Sequence, residues 1–166
     1  MKMRLIRAMS VGITVFFAAE LAAQQGADEA VIAATPETAV ALWQDEPTRI
    51  FDASEVNLSD FQWIARPVVI FGDSPNDPSF RRQMELLAHR PGDLVERDVI
   101  LITDTEPDVL SDIRRQLRPR AFMLAILGKD GQVKLRKPLP WDVRELSRSI
   151  DKMPLRQQEI DAARGF

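Results

Sequence analysis

Four polar side chains that could do chemistry follow a short, strongly apolar run of the sequence. The run is Pro67–Phe71, and the side chains are Asp73, Ser74, Asn76 and Asp77. A serine is a nucleophile when a base lies beside it, and two aspartates with an asparagine can hold a divalent cation through oxygen. The same residue types dominate turns because their side chains hydrogen-bond locally, and we favour that turn and capping interpretation. We therefore treat the four residues as candidate ligand contacts, and we predict neither a catalytic residue nor a metal site.

Basic residues elsewhere in the chain are candidates for the same site. Arg118 and Arg120 stand just before the apolar run Phe122–Leu127. They could pair with carboxylates of the loop Gly72–Asp77 or grip an anionic ligand. The alternative is exposed charge, whose surface pairs contribute under about 1 kcal/mol each. Four more cations surround a predicted hairpin, and we interpret them as residues that discourage sheet-to-sheet association at an edge strand; they are Lys129, Lys134, Arg136 and Lys137.

The composition excludes several kinds of chemistry. The 166 residues include no cysteine, which rules out disulfides, thiolate nucleophiles, Cys-containing metal sites and dithiol redox cycling by this chain. The only histidine, His89, stands at the far end of the helix predicted to follow Ser74, so this serine has no evident base. We expect no cofactor, and the absence of a nucleophile–base pair favours a protein that is not an enzyme.

The elements that position these residues can be predicted from the apolar pattern. Continuous apolar runs at Pro67–Phe71, Val99–Thr103 and Phe122–Leu127 indicate strands that are buried on both faces. Lys129-Asp130-Gly131 supplies a tight turn, after which Gln132–Arg136 alternates between polar and apolar residues. The last two strands are therefore expected to form an antiparallel hairpin.

Capping residues, prolines and helical spacing predict helices between and after these strands. The first helix follows Asp77, and the last follows Asp142. The middle one is expected to begin near Thr105, with Pro107 in its first turn and Leu110 on its buried face. Because a helix connects the first two strands, they should be parallel. The order β-α-β-α-β-β-α predicts an α/β protein with a single thioredoxin-like domain.

Redox-active thioredoxins carry two hallmarks whose positions can be located in this sequence. A Cys-x-x-Cys pair would stand in the loop Gly72–Asp77, where a helix N-terminus stabilises a thiolate. A cis-proline would precede the third strand, where alignment on the hairpin places Met123. The sequence has neither residue type at these places. We therefore expect no inherited oxidoreductase activity.

The N-terminus has the pattern of an export signal. Three basic residues precede the short apolar stretch Ala8–Ala19, and Leu21-Ala22-Ala23 offers small residues for cleavage. The stretch is shorter than the roughly 20 residues that a membrane span needs. We expect a signal peptide at residues 1–23, a periplasmic or secreted bacterial protein, and no membrane span after cleavage. The basic residues are Lys2, Arg4 and Arg7.

The net charge of −3 argues against nucleic acid as a partner.

The remaining segments complete the predicted domain organisation. In the C-terminal segment, Arg156 could pair with Asp151 or Glu159 and pin the chain to the domain. The predicted organisation is a signal peptide at 1–23, a loosely packed arm at 24–57, the thioredoxin-like domain at 58–154 and a helical or frayed tail at 155–166.

Several stretches in combination resemble a known family. They are Phe61-Gln62-Trp63, Arg66–Phe71, Gly128–Arg136 and Ile150–Glu159. The chain resembles the DUF4174 family, a bacterial thioredoxin-like domain of unknown function that is also similar to modules in animal extracellular-matrix proteins with sushi repeats. The resemblance covers about Phe61 to Ile160 and implies an exported, cysteine-poor domain. It implies no established activity, so no functional residue can be transferred to this chain.

These observations leave three functions open. The first is a redox-inactive binding or adaptor domain with a protein partner in the cell envelope. The second is an envelope enzyme, or a small-ligand or metal-binding protein, that uses the loop Gly72–Asp77 with Arg118 or Arg120. The third is a role in periplasmic redox or stress homeostasis through contact with a thiol protein. The sequence does not define the oligomeric state.

Overall fold

The computed structural model describes residues 38–165, which form a five-stranded sheet with helices packed on both faces. The expectations for residues 1–23 and 24–37 lie outside the described residues. The strands are β1 (Ile50–Asp52), β2 (Arg66–Phe71), β3 (Val99–Asp104), β4 (Met123–Leu127) and β5 (Val133–Lys137). The helices are α1 (Ala39–Asp45), a short 3-10 helix (Leu58–Phe61), α2 (Pro78–Ala88), α3 (Pro91–Val95), α4 (Asp112–Leu117), α5 (Val143–Asp151) and α6 (Pro154–Arg164).

The strand order confirms the thioredoxin-like arrangement predicted from the sequence. The sheet runs β1-β3-β2-β4-β5, so that β2 lies at its centre. β3 pairs in parallel with β1 and β2, whereas β4 pairs antiparallel with β2 and β5. The fold is α/β, with the predicted β-α-β-α-β-β-α order between β2 and α5. The structure adds α3, a short helix that the sequence pattern does not predict.

The continuous apolar runs are explained by burial on both faces of the sheet. Along β2, Val69 and Phe71 belong to the core beside α1 and α4, whereas Val68 and Ile70 belong to the core beside α2, α3 and α5. All four side chains have 0% exposure. A strand with helices on both sides has no solvent-facing position, so its sequence is apolar rather than alternating.

The described part of the predicted N-terminal arm is packed into the domain instead of being loosely attached. Trp43 of α1 is 7% exposed, and its indole Nε1 donates a hydrogen bond to the carbonyl oxygen of Val99 over 3.3 Å. Phe51 of β1 is 1% exposed and lies opposite Ile102 of β3. A strand of three residues is too short to show a periodicity, and its partner lies far along the chain. The expectation of a loosely packed arm was therefore wrong for residues 38–57.

The helix after β3 begins later than the sequence predicts. Thr105 was expected to cap it, with Leu110 on its buried face, but α4 begins at Asp112 and Leu110 is 60% exposed. Ser111 is the actual N-cap. Its hydroxyl oxygen accepts the backbone N–H of Arg114 over 2.9 Å, and the hydroxyl donates to Oδ2 of Asp104 over 2.7 Å. The start of the helix is thus determined by a hydrogen bond to the end of β3.

The C-terminal tail, predicted as helical or frayed, is the helix α6. Pro154 occupies its first turn, and Gly165 ends it with a left-handed φ of 80°. Within residues 38–165, no helix combines the length and the apolar character that a membrane span requires.

The register of the sheet defines two ends that matter for the site. Phe71, the last residue of β2, pairs with Met123, the first of β4, and Leu124 pairs with Lys137, the last of β5. We call this the carboxyl end of the sheet, because the parallel strands finish there. The amino end is the opposite one, where β2 begins at Arg66.

Candidate functional site

The loop at the carboxyl end of β2 uses two of its candidate side chains for local hydrogen bonds. Asp77 caps α2, with its Oδ1 accepting the backbone N–H groups of Ser79 over 2.7 Å and of Phe80 over 3.2 Å. The hydroxyl oxygen of Ser74 accepts the backbone N–H of Asn76 over 3.2 Å. These contacts are the turn and capping chemistry that the residue types favour.

The predicted partners of this loop are not joined to it by ion pairs. Asp73 and Asn76 are exposed, and no salt bridge within residues 38–165 links Asp73 or Asp77 with Arg118 or Arg120. Across the same residues there is no group of three or more His, Asp or Glu side chains placed to hold a metal ion. The structure therefore brings the acidic candidates and the basic candidates to the same end of the sheet without pairing them.

The two arginines contribute instead to a groove at the carboxyl end, which we call the cationic groove. Its volume is about 350 Å³. Ala121, Phe122, Met123 and Pro138 give it an apolar lining, and no carboxylate lines it. The charged residues of the groove are Arg118, Arg120, Arg136 and Lys137.

Local structure determines how these cations are held. Arg118 ends α4 in a left-handed conformation with φ 50°, and Nη1 of Arg136 donates to the carbonyl oxygen of Leu117 over 2.6 Å. Nζ of Lys137 lies 4.2 Å from the centre of the Trp141 ring, a cation–π contact. Arg118 and Arg120 make no salt bridge with any described residue.

The loop that carries Trp141 is fixed to α2 by a buried amide. The side chain of Gln83 has 0% exposure. Its Nε2 donates to the carbonyl oxygen of Trp141, and its Oε1 accepts the backbone N–H of the same residue, each over 2.8 Å. One amide side chain thereby replaces the two hydrogen bonds that a neighbouring strand would provide.

Arg118 and Arg120 were candidates from the sequence, whereas the contribution of β5 to the groove was not predicted. Arg136 and Lys137 were interpreted as charges protecting an edge strand, which β5 is. Their place in the groove follows from the antiparallel hairpin, since the end of β5 must lie beside the start of β4. The hairpin pattern in the sequence is the signal that predicts this place.

A buried ion pair beneath the candidate loop was also missed. Arg114 donates from Nη2 to Oδ1 of Asp104 over 2.6 Å, and the two side chains are 9% and 4% exposed. The same Nη2 donates to the carbonyl oxygen of Gly72 over 3.3 Å. The pair connects α4 to the end of β3 and to Gly72, the first residue of the loop. It therefore stabilises the position at which the loop leaves β2.

A larger ion cluster lies at the amino end of the sheet. Arg66 is 1% exposed, and its Nη2 donates to Oε1 of Glu159 over 2.7 Å. Nζ of Lys129 lies 2.8 Å from Asp98 and 3.2 Å from Glu159. Burial alone would raise the pKa of Glu159, but hydrogen bonds from Arg66, Arg156 and Lys129 outweigh it and hold that pKa below its ordinary value of 4.5.

This cluster attaches α6 to the domain. Nη1 of Arg156 lies 3.1 Å from Glu159, and its Nε lies 3.7 Å from Asp151, so both predicted pairings are confirmed. Asp151 in turn accepts two hydrogen bonds from Arg97, over 2.9 and 2.8 Å. The arrangement is structural: charged groups on β2, α5 and α6, in the hairpin turn and in the segment before β3 hold one another in place.

Next to the ion cluster is a second cavity, of about 300 Å³, which we call the Trp63 pocket. Its charged wall includes Asp130 and Lys134, which form an ion pair over 2.6 Å. Burial acts to raise the pKa of Asp130, but hydrogen bonds from Lys134 and from the backbone of Gln132 bring it below its ordinary value of 3.8. The other lining residues are Trp63, Arg66, Gly128, Lys129, Met153, Pro154, Leu155 and Gln158.

Comparison with known proteins identifies the family. The model of the domain of unknown function DUF4174 matches residues 57–159, which is more than half of the chain. The chain belongs to the DUF4174 family. Every residue that lines the Trp63 pocket lies in one of the four sequence stretches that carried the resemblance to this family.

Solved structures similar to this DUF4174 chain include two from very different organisms. The reduced 2-Cys peroxiredoxin of Plasmodium vivax is 14% identical, with a TM-score of 0.51 over 62% of this chain and 85% of the peroxiredoxin. Desulfothioredoxin from Desulfovibrio vulgaris Hildenborough is 16% identical, with a TM-score of 0.42 over 63% and 96% of the two chains. The likeness to the peroxiredoxin supports the thioredoxin-like fold alone.

Proposed function

We propose that this DUF4174 protein is an exported, redox-inactive binding domain whose cationic groove receives an acidic segment of a partner protein. The basic and apolar pattern of residues 1–23 supports export. The absence of cysteine supports a role without thiol chemistry. The observation that carries the binding role is the groove itself, in which four cationic residues and no carboxylate surround an apolar floor.

The charges of the groove favour an anionic partner. The chain as a whole has a net charge of −3, so the groove is a local positive region on a negative protein. Arg118 and Arg120 are exposed and form no ion pair with residues 38–165, so a bound carboxylate would not have to displace an existing partner. Charge complementarity of this kind guides association and defines the register of a complex.

Exposed apolar side chains in loops at the carboxyl end of the sheet favour a polypeptide over a small anion. Leu139, which follows β5, is 66% exposed. Val109 and Leu110, in the loop that follows β3, are 58% and 60% exposed. All three belong to loops at the carboxyl end of the sheet. A partner segment that combines acidic residues with apolar ones would match both the charges and these contacts.

A peptide titration tests this proposal. The probe is a fluorescently labelled dodecapeptide of alternating glutamate and leucine residues, followed by anisotropy at low and at physiological salt. The test variant combines Arg118→Asn with Arg120→Ser, because asparagine tolerates the left-handed backbone at position 118. We expect at least about a tenfold loss of affinity, since each interfacial charge typically contributes near 1 kcal/mol or more.

The matched control changes two arginines outside the groove. Arg144 and Arg148 are exposed on α5, and Arg144→Ser combined with Arg148→Ser alters the net charge by the same amount. Equal affinity of wild type and the groove variant would overturn the proposal. Binding lost instead on Asp73→Ala and Asn76→Ala would favour the alternative ligand site in the loop.

The same design separates the proposal from the other two functions. Titration with divalent metal ions, checked with Asp73→Ala, tests the metal-binding alternative. Capture of a reduced and an oxidised thiol protein, compared for wild type and the groove variant, tests a role beside thiol proteins. If binding depends on the redox state of the captured protein but is unchanged by the groove substitutions, the role in redox homeostasis is favoured over the acidic-segment proposal.

A further inference from the structure

The Trp63 pocket lies at the amino end of the sheet and has no part in the proposed function. Trp63 is 65% exposed, and its φ of 65° is left-handed. A bulky residue is rarely found in this conformation, which costs about 1–2 kcal/mol relative to the usual regions. The backbone N–H of Trp63 donates to the carbonyl oxygen of Lys129 over 2.7 Å. The indole is therefore positioned at the pocket by its backbone and not by burial.

The walls of the pocket are of two kinds. Met153, Pro154 and Leu155, at the junction of α5 and α6, supply an apolar wall in addition to the indole of Trp63. The charged wall contains three cationic residues and one carboxylate. They are Arg66, Lys129, Lys134 and Asp130.

Arg66 is the deepest of these charged groups. Its side chain is 1% exposed and belongs to the lining of the pocket. Nη1 donates to the carbonyl oxygen of Arg97 over 2.9 Å and Nη2 donates to Glu159, but Nε makes no hydrogen bond with any residue from 38 to 165. A guanidinium has five N–H donors, so this one retains capacity for an acceptor in the pocket.

The carboxylates that balance the cluster do not line the pocket. Glu159 and Asp98 bind Arg66 and Lys129 from outside the pocket lining. The one carboxylate in the lining, that of Asp130, is paired with Lys134, so the cations of the wall outnumber the carboxylates by three to one. The pocket combines a flat aromatic surface, an apolar wall and a buried guanidinium, which is the usual composition of a small-molecule site.

We propose that the Trp63 pocket binds a small planar aromatic carboxylate. The ring of the ligand stacks on the indole of Trp63 and contacts Pro154 and Leu155. Its carboxylate accepts hydrogen bonds from the side chains of Arg66 and Lys129, and Lys134 at the rim adds to the positive potential. The volume of about 300 Å³ lies at the lower end of the range for ligand pockets.

Calorimetric titration with 1-naphthoate tests this proposal, with 1-naphthalenemethanol and cyclohexanecarboxylate as comparison ligands. The alcohol retains the planar ring without the charge, and the cyclohexane compound retains the charge without the planar ring. We expect 1-naphthoate to bind at least about fivefold more tightly than either, since loss of a charge-assisted hydrogen bond or of aromatic stacking costs about 1 kcal/mol or more.

Two variants relate the binding to this pocket. Trp63→Asn removes the indole but suits the left-handed backbone, so the protein should fold with an unchanged or higher melting temperature. We expect it to weaken 1-naphthoate binding at least about tenfold, and Lys134→Ala to weaken it about threefold. Arg144→Ala, an exposed arginine on α5, is the control and should bind as wild type does.

Each result has a defined meaning. Absence of measurable binding by the folded wild-type protein at millimolar 1-naphthoate would overturn the proposal. So would equal affinity for the neutral alcohol, or unchanged binding by Trp63→Asn. The groove variant Arg118→Asn/Arg120→Ser should bind 1-naphthoate normally, so failure of the groove proposal and failure of this one are distinguishable.

Discussion

Arg66 and Glu159 are separated by 93 positions in the chain, yet Nη2 of Arg66 donates to Oε1 of Glu159 over 2.7 Å. The contact joins the first residue of the central strand β2 to the middle of the last helix, α6. Lys129 and Arg156 bind the same carboxylate, at 3.2 and 3.1 Å. One glutamate therefore links the hairpin turn, the central strand and the C-terminal helix.

Replacement of this glutamate is expected to destabilise the whole domain. Glu159→Ala leaves the buried guanidinium of Arg66 without its nearest carboxylate, and breaking a buried pair typically costs about 3–5 kcal/mol. We expect a loss nearer about 2 kcal/mol, because Glu159 is one-quarter exposed and Asp98 still lies 3.8 Å from Arg66. Urea unfolding measures the change. Asp161→Ala, exposed on the same helix, is the control, and a similar loss in both variants would contradict the assignment.

The same carboxylate makes stability depend on acidity. Its pKa in the folded protein is below the ordinary value of 4.5, so the unfolded chain binds its proton at a higher pH than the folded chain does. The contribution is therefore fully present above about pH 4.5 and is lost as pH falls through the folded pKa. We expect the stability difference between wild type and Glu159→Gln to shrink between pH 6 and pH 3 in urea titrations. A difference that stays constant across this range would contradict the prediction.

Loss of the buried Arg114–Asp104 pair beside the candidate loop is expected to lower the free energy of unfolding by more than loss of Glu159 does. Arg114→Ala leaves Asp104, which is 4% exposed, with an uncompensated charge, at a cost of about 3 kcal/mol or more. Thermal and urea unfolding should both show it. Arg115→Ala is the matched control, because Arg115 is 61% exposed and should change stability by no more than about 0.5 kcal/mol. If the two variants are equally stable, the pair does not hold the carboxyl end together.

Gln83 provides a test of how the cationic groove is supported. Gln83→Leu fills a similar volume but leaves the N–H and the carbonyl oxygen of Trp141 without partners, and each buried unsatisfied group costs about 1–3 kcal/mol. Hydrogen exchange should show faster exchange at the amide of Trp141, together with an overall loss of about 2 kcal/mol. Gln116→Leu, at an exposed position on α4, is the control. Unchanged exchange at Trp141 would show that the loop is held by other contacts.

Much of the fold could be predicted from the sequence because the relevant signals are local. The apolar runs of β2, β3 and β4, the turn at Lys129–Gly131 and the caps Asp77 and Asp142 all lie where the pattern places them. β1 was not predicted, and the start of α4 was predicted too early in the chain. Both depend on contacts with β3, which are remote from the segments concerned and leave no periodicity in a strand of three residues.

The cationic groove and the Trp63 pocket also differ in how far they could be predicted from the sequence. Arg118 and Arg120 are candidates because of their place before β4, since ligands gather at the carboxyl end of a parallel sheet. The Trp63 pocket was not predicted. It is assembled from segments that are far apart in the chain. Its buried arginine, Arg66, is the first residue of β2, so the local sequence pattern indicates only the start of a strand.

The sequence by itself determined the fold class, the family and the absence of cysteine, since these depend on composition, periodicity and local motifs. Only the tertiary structure decided which charges are paired. The cations around the hairpin look alike in sequence, yet Lys129 is bound to two carboxylates and Arg136 lines an open groove. The physical reason is that pairing depends on distances across the sheet and between its two ends, which local sequence does not encode.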